Sequence, residues 1–349
     1  MYVPILKNRS VEVSVLEDLL KIPLSEHTTP LVEIIQERVR SNSPSPFVEQ
    51  LAKLLSQNPD RSQLFVDVPR LSAPSGIPSP VREFLIRANR DHSFWLSMLL
   101  SLAGLPGVVP VVSYNPLLVP GTELLDHISL LRRQFETLAF RLTAGTFPDV
   151  FPLIARDCIK EQDFVMLDIG SAGHTNPVLK SMYEAVRQQK GHIGYTSVIV
   201  HSPRRRELTN KSLEDGKPIV EIDNSLRDFF RVHHFDGFGD YAGITSDLPT
   251  TGGSISPAGV YYSFADNVFV GFRRHLRLSE FEEYIAPAIV ASPYWQQYSP
   301  EHHERCPGCR EILKISAGKQ KGSSQAKWKG ITMAHYIYAI DESMASGRV

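Results

Sequence analysis

Leu64-Phe65-Val66-Asp67-Val68 sets the reading of this sequence, because it is repeated in kind at Pro30-Leu31-Val32-Glu33-Ile34 and at Phe164-Val165-Met166-Leu167-Asp168-Ile169. Each run is apolar except for one acid near its C-terminal end. Strand side chains alternate, so each acid shares a face with the large residue two before it, while Val32, Val66 and Leu167 take the opposite face. Runs that are apolar on both faces fit strands of a parallel sheet covered by helices. Five more runs have this character: VPILK (3–7), VPVVSY (109–114), LAFRL (138–142), SVIVHS (197–202) and DYAGI (240–244).

The gaps between the runs have helical spacing. Val11, Val15, Leu16, Leu19 and Leu20 line one side of 11–20, with Glu12, Glu17 and Asp18 opposite. The same pattern recurs at Phe47, Leu51, Leu54 and Leu55, at Val81, Phe84, Leu85 and Ala88, and at Leu124, Leu125, Ile128 and Leu131. It appears again at Val178, Met182, Tyr183 and Val186, and at Ile222, Leu226, Phe229 and Phe230. Ser279 with Glu282 reads as a capping box. Eight β/α units over about 250 residues match a closed, eight-stranded parallel TIM-like barrel. An open doubly wound sheet is the competitor, but no glycine-rich turn follows the first strand. The expected fold is therefore an α/β barrel over 1–292, with an extra helix at 91–107 and a β-hairpin inserted at 250–275. A C-terminal extension, 293–349, packs on it and contains a mobile Gly/Ser/Lys-rich loop at 315–327.

Alternation places Glu33, Asp67 and Asp168 inward, with Lys7, Arg141 and His201 on the same inner surface near the C-terminal strand ends. That is the end where barrels of this kind build their sites. Buried carboxylates demand partners, and two readings follow. One is a salt-bridge network that fills the interior. The other is a site in which Glu33, Asp67 and Asp168 move protons or hold Mg²⁺ or Mn²⁺, with Lys7 and His201 as catalytic partners and Arg141 binding an anionic group. Asp240, Tyr114, Ser113, Ser202 and Arg204 are candidates to complete the ligand contacts, although Asp240 also suits a turn cap. Arg204, Arg205 and Arg206, with Arg273, Arg274 and Arg277, would clasp phosphates, follow a nucleic-acid backbone or form a solvated face.

His302, His303, Cys306 and Cys309 form HHERCPGC, half of a zinc-knuckle pattern. His335 or His275 would have to complete a Zn²⁺ site, and a reduced Cys pair in a turn is the plain alternative. Tyr261, Tyr262, Phe264, Phe269 and Phe272 in the hairpin offer aromatic anchors for a partner protein, or pack on one another. The sequence lacks a Gly-x-Ser-x-Gly elbow, a P-loop and a dinucleotide fingerprint.

The 349 residues carry 37 Lys plus Arg against 38 Asp plus Glu, a balance that disfavours a dedicated nucleic-acid or membrane-surface binder. Three cysteines do not make a disulfide framework, and no apolar run approaches the length of a membrane helix. A cytoplasmic protein without membrane contact is expected.

Several segments carry a family likeness: MYVPILKNRSVEVSVLEDL at 1–19, PLVEI, FVDV, FVMLDIGS at 164–171 and KWKGITMAHYIYAI at 327–340. In order and spacing the chain resembles the Beta protein family of phages and bacteria over nearly its whole length. That family's pattern has a Trp followed by paired histidines near the C-terminus. Here Trp328 matches, and His335 alone stands where the pair is expected. The resemblance implies a protein of phages, mobile elements and antiviral defence neighbourhoods, with a co-encoded defence or mobile-element protein as partner. It supplies no catalytic residues. The expected function is binding of an anionic, phosphate-bearing ligand at the barrel mouth, with hydrolysis or rearrangement by metal or acid/base chemistry. The alternative is a non-enzymatic barrel that senses a phage component or docks on a co-encoded effector.

Overall fold

The computed structural model of the protein describes residues 1–22, 24–37, 46–58, 63–71, 75–115, 117, 120–204, 208–248, 256–275, 277–322 and 324–349. Arg205, Arg206 and the first residues of the expected insertion, 250–255, lie outside them.

Eight parallel strands close into a ring. They are β1 (Tyr2–Lys7), β2 (Leu31–Glu33), β3 (Leu64–Asp67), β4 (Val108–Ser113), β5 (Ala139–Thr143), β6 (Phe164–Asp168), β7 (Thr196–His201) and, after the two-residue β8 (Lys217–Pro218), β9 (Gly237–Asp240). Strand β9 pairs with both β7 and β1 and so completes the barrel. Helices Ser10–Leu20, Pro46–Ser56, Ser79–Arg90, Gly121–Arg132, Phe147–Asp157 and Lys180–Ile193 alternate with the strands. This is the closed α/β barrel expected, its strands buried along nearly their whole length.

Some elements differ from expectation for identifiable reasons. The eighth barrel strand is Gly237-Phe-Gly-Asp240, not 240–244, because β1 passes so close that side chains do not fit. A Cβ on Gly237 would lie 2.6 Å from the Met1 carbonyl oxygen, and one on Gly239 2.8 Å from that of Val3. The expected helix around Ile222–Phe230 is a single turn, Leu226–Phe229. Glu12 is buried, not exposed. Ser279 takes both the Glu282 and Glu283 amides on its backbone carbonyl, while the Glu282 side chain accepts from the Gly322 amide 2.7 Å away, so the capping box does not form. The extra helix, His92–Leu100, lies beside the barrel, and Trp95 Nε1 donates to the Val68 carbonyl at 2.9 Å.

The hairpin forms from β10 (Gly259–Ser263) and β11 (Val268–Phe272), and β8 extends it to three antiparallel strands. The helix Gln325–Ala345 is buried on almost every side from Ile331 to Asp341, a stretch in which most residues are apolar or aromatic. It packs against β1, β10, Ser10–Leu20 and Pro307–Ser316. The tract 315–327 is in part ordered helix: Ile315 and Ser316 end one helix, and Gln325 begins the next. Gly322 is pinned between them, its carbonyl accepting from Trp328 Nε1 at 3.0 Å.

Candidate functional site at the barrel mouth

Register aligns Lys7, Glu33 and Asp67 across β1, β2 and β3, and Ser113 with Arg141 across β4 and β5. All five lie on the inner surface near the C-terminal strand ends. Arg141 is the hub. Its Nη1 donates to Glu33 Oε1 at 2.7 Å and to Asp67 Oδ2 at 3.1 Å, while Nη2 and Nε reach Asp168 Oδ2 at 2.6 and 3.1 Å. Nη2 also donates to the Tyr241 hydroxyl at 2.8 Å, and that hydroxyl donates to Glu33 Oε1 at 2.9 Å. Ser113 Oγ lies 2.8 and 2.9 Å from the two Asp67 oxygens. The guanidinium thus stands between three carboxylates and supplies the counter-charge to all of them.

Burial outweighs the nearby Arg141 charge and raises the Asp67 pKa to about 6. Two atoms stand outside this satisfied network, Glu33 Oε2 and the Nζ of Lys7. The Lys7 side chain is 2% exposed, yet Nζ has no hydrogen-bond partner among the described residues. Glu33 Oε2 is 3.9 Å away, too far for a hydrogen bond, and the Tyr241 ring centroid is at 4.4 Å. Burial lowers the Lys7 pKa.

Two cavities open beside this network. One, of about 530 Å³, is walled by Arg141, Asp168, Tyr241, Ser202, Thr143 and residues of the strand-to-helix loops. The second, of about 290 Å³, is walled by the cationic Lys7, Arg9, Arg204 and Lys329 and the acidic Glu12 and Asp247. Asp247 and Leu248 belong to both walls. Glu12 is held by Lys329 Nζ at 2.7 Å and also accepts from the Lys7 amide.

Other expected site residues lie elsewhere. Asp168 registers with Val200, so Val200 shares the inner face and His201 points outward, where burial lowers its pKa to about 4 and keeps it neutral. Asp240 is also on the outer face. It accepts from Tyr2 at 3.0 Å, from Tyr336 at 2.6 Å and from the Ala242 amide at 2.8 Å, so it is a turn cap enclosed by tyrosines. Tyr114 is buried beyond the end of β4 and lines neither cavity. Ser202 lines the mouth, and Arg204 lines the basic cavity while donating to the Gly243 carbonyl at 3.3 Å. Arg273 donates to the carbonyls of Asn210 and Lys211, Arg274 stacks on Tyr284, and neither lines the two mouth cavities.

The hairpin aromatics Tyr261, Tyr262, Phe269 and Phe272 are buried, which removes them as exposed anchors for a partner. Cys306 and Cys309 converge with His302 and His335. His303 turns away and stacks on Trp295, ring centroids 4.0 Å apart.

Sequence reasoning missed Tyr241, Arg9, Glu12 and Lys329. Tyr241 sits one residue past a strand end and Lys329 some 320 positions from Lys7, so neither alternation nor helical spacing links them to the site. The pattern defines a (β/α)₈ barrel with an arginine-centred acidic cluster and an adjoining basic cavity at its C-terminal mouth. The chain belongs to the Beta protein family, whose family model matches residues 2–340. No curated protein matches it. Among the described residues, no helix is long and apolar enough to cross a membrane.

Proposed function

We propose that this chain binds a small phosphate-bearing molecule at the barrel mouth, seating the anion among Lys7, Arg9, Arg204 and Lys329 and the remainder across Asp247 and Leu248 toward Asp168. The observation that carries the reading is the Lys7 ammonium, buried without a hydrogen-bond partner on the wall of a cavity with three further cations. A buried charge left so is costly, and an incoming anion supplies the missing acceptors. Asp168, on the wall of the larger cavity, is the group placed to exchange a proton with the ligand. Glu33 and Asp67, sealed beneath Arg141, are positioning residues. We place this activity in the phage and mobile-element setting implied by the family likeness, with a co-encoded protein as partner.

A second reading, recognition without chemistry, is favoured by Arg141, which already holds each of the three carboxylates in an ion pair. Calorimetric titration with inorganic phosphate and with nucleoside mono- and diphosphates tests the common part. Binding is expected, weakened at least tenfold by Lys7→Met and unchanged by added Mg²⁺ or Mn²⁺. Absence of heat with every phosphate compound, or full affinity in Lys7→Met, overturns it. With a ligand in hand, Asp168→Asn separates the readings: turnover lost with binding kept indicates chemistry, and no turnover in the unmodified protein indicates recognition.

A further inference from the structure

We propose that His302, Cys306, Cys309 and His335 bind one Zn²⁺ ion in a closed structural site that ties the C-terminal helices to the hairpin. The four side chains are buried, and one ligand atom from each lies within 4.8 Å of the others. A tetrahedral zinc with Zn–N of about 2.0–2.1 Å and Zn–S of about 2.3 Å spaces its ligand atoms about 3.3–3.8 Å apart. His335 Nδ1 lies 3.5 Å from Cys306 Sγ and 3.4 Å from Cys309 Sγ, already within that spacing.

The tautomers are set from outside the cluster. His335 Nε2 is 3.0 Å from the Tyr262 carbonyl of β10, which makes it the protonated nitrogen and leaves the Nδ1 lone pair facing the two sulfurs. His302 Nδ1 is 3.0 Å from Glu342 Oε2, the carboxylate–histidine arrangement that supports metal ligation. Its Nε2 is buried with no hydrogen-bond partner, on a side chain 1% exposed. A buried imidazole nitrogen without a hydrogen-bond partner, in a group with two thiols, is costly without an ion and satisfied by one.

The backbone is shaped for the same purpose. Cys306 caps the helix Pro307–Ser316, and its Sγ accepts from the Cys309 amide at 3.4 Å. Gly308 lets the turn press on the C-terminal helix: a Cβ there would lie 2.6 Å from the Ile331 carbonyl oxygen and 2.7 Å from His335 Cβ. Two sulfurs and two imidazoles select a tetrahedral, borderline-soft ion, and four protein ligands leave no open position for substrate. Cys306 and Cys309 lie in a hydrophobic cluster beneath the hairpin with Trp295 and Trp328, and none of the four ligands lines either mouth cavity.

Metal analysis of the full chain, purified with reductant from zinc-supplemented cells, is expected to give one zinc per chain. Cys309→Ser is expected to lower this below a tenth, and Cys158→Ser to leave it unchanged. The chelated protein titrated with Co²⁺ should develop the intense visible bands of tetrahedral thiolate coordination, saturating at one equivalent. Sub-stoichiometric metal in the unsubstituted chain, a featureless cobalt spectrum, a Cys306–Cys309 disulfide in place of metal, or full zinc retention in Cys309→Ser would each overturn the assignment. The unsubstituted protein alone suffices for the first three, whatever the variant's solubility.

Discussion

Arg141 neutralises three acids at once, so its replacement leaves several uncompensated charges in the interior. Arg141→Met is expected to cost about 3–5 kcal/mol in urea denaturation, the scale for breaking a buried pair from one side. Arg141→Lys is expected to recover little of it, because an ammonium lacks the planar fork that spans Glu33 and Asp168. The inward placement of Lys7, Glu33, Asp67, Arg141 and Asp168 was legible because one polar residue interrupts each apolar run near its end. His201 was not, since Val198, Ile199 and Val200 are all apolar and the run gives no sign of which face is inner.

Asp240 makes a prediction with a definite sign. Burial raises its pKa from 3.8 to about 6, so the folded state holds the proton more tightly than the unfolded chain. Its contribution to stability is therefore full below pH 3.8 and lost as pH rises through about 6. Two pH units correspond to about 3 kcal/mol, and Asp240→Asn should gain about 2–3 kcal/mol on the unsubstituted protein between pH 4 and pH 7. Denaturation midpoints at several pH values in that window check this, and parallel curves for the two proteins would contradict it.

Among elements, β9 shows where local preference yields to packing. Glycines are poor strand formers, so Gly-Phe-Gly-Asp carries no strand signal of its own. Its place is fixed by β1, whose backbone would meet any Cβ at Gly239. Gly239→Ala is expected to destabilise by about 1–3 kcal/mol, as overpacking does. Gly191→Ala, within helix Lys180–Ile193 and with open space around its Cβ, is expected to stabilise by about 0.5–1 kcal/mol. Equal effects in thermal melts would show that the close approach is not what selects glycine. Helix Phe147–Asp157 escaped the helical pattern because Pro148 and Pro152 interrupt it, although Phe147, Val150, Phe151 and Ile154 form a buried stripe. The hairpin was legible in outline, as alternating aromatics around Ala265-Asp266-Asn267, but the two-residue β8 beside it is too short to leave a pattern.

At the scale of the whole molecule, packing runs from the barrel into the C-terminal extension. The helix Gln325–Ala345 gives Met333, Tyr336, Ile337 and Ile340 to the barrel's cluster, and Trp328, Ile331 and Tyr338 to the cluster under the hairpin. Its Thr332 hydroxyl bonds the Val260 carbonyl at 2.8 Å, and Asp341 takes the Ser25 amide at 2.9 Å. The full chain should therefore unfold in one transition, with calorimetric and van't Hoff enthalpies equal. A chain ending before Gln325 should lose that cooperativity, and two resolved transitions in the intact protein would contradict the single unit. In the sequence, 331–340 is legible as an ordered element but not as part of a helix over Gln325–Ala345. Its double allegiance was hidden, because a stretch apolar on every side does not say which neighbours it will have.

The three indoles fall on both sides of that joint. Trp95 lies in the barrel's cluster, while Trp295 and Trp328 lie in the other, with Trp295 stacked on His303 beside the Cys–His cluster. Replacing Trp95 by Phe would leave intrinsic emission to the C-terminal half alone, and replacing the other two would leave it to the barrel. The molecule thus carries its own optical reporters, by which events in one half can be followed without a dye attached to the other.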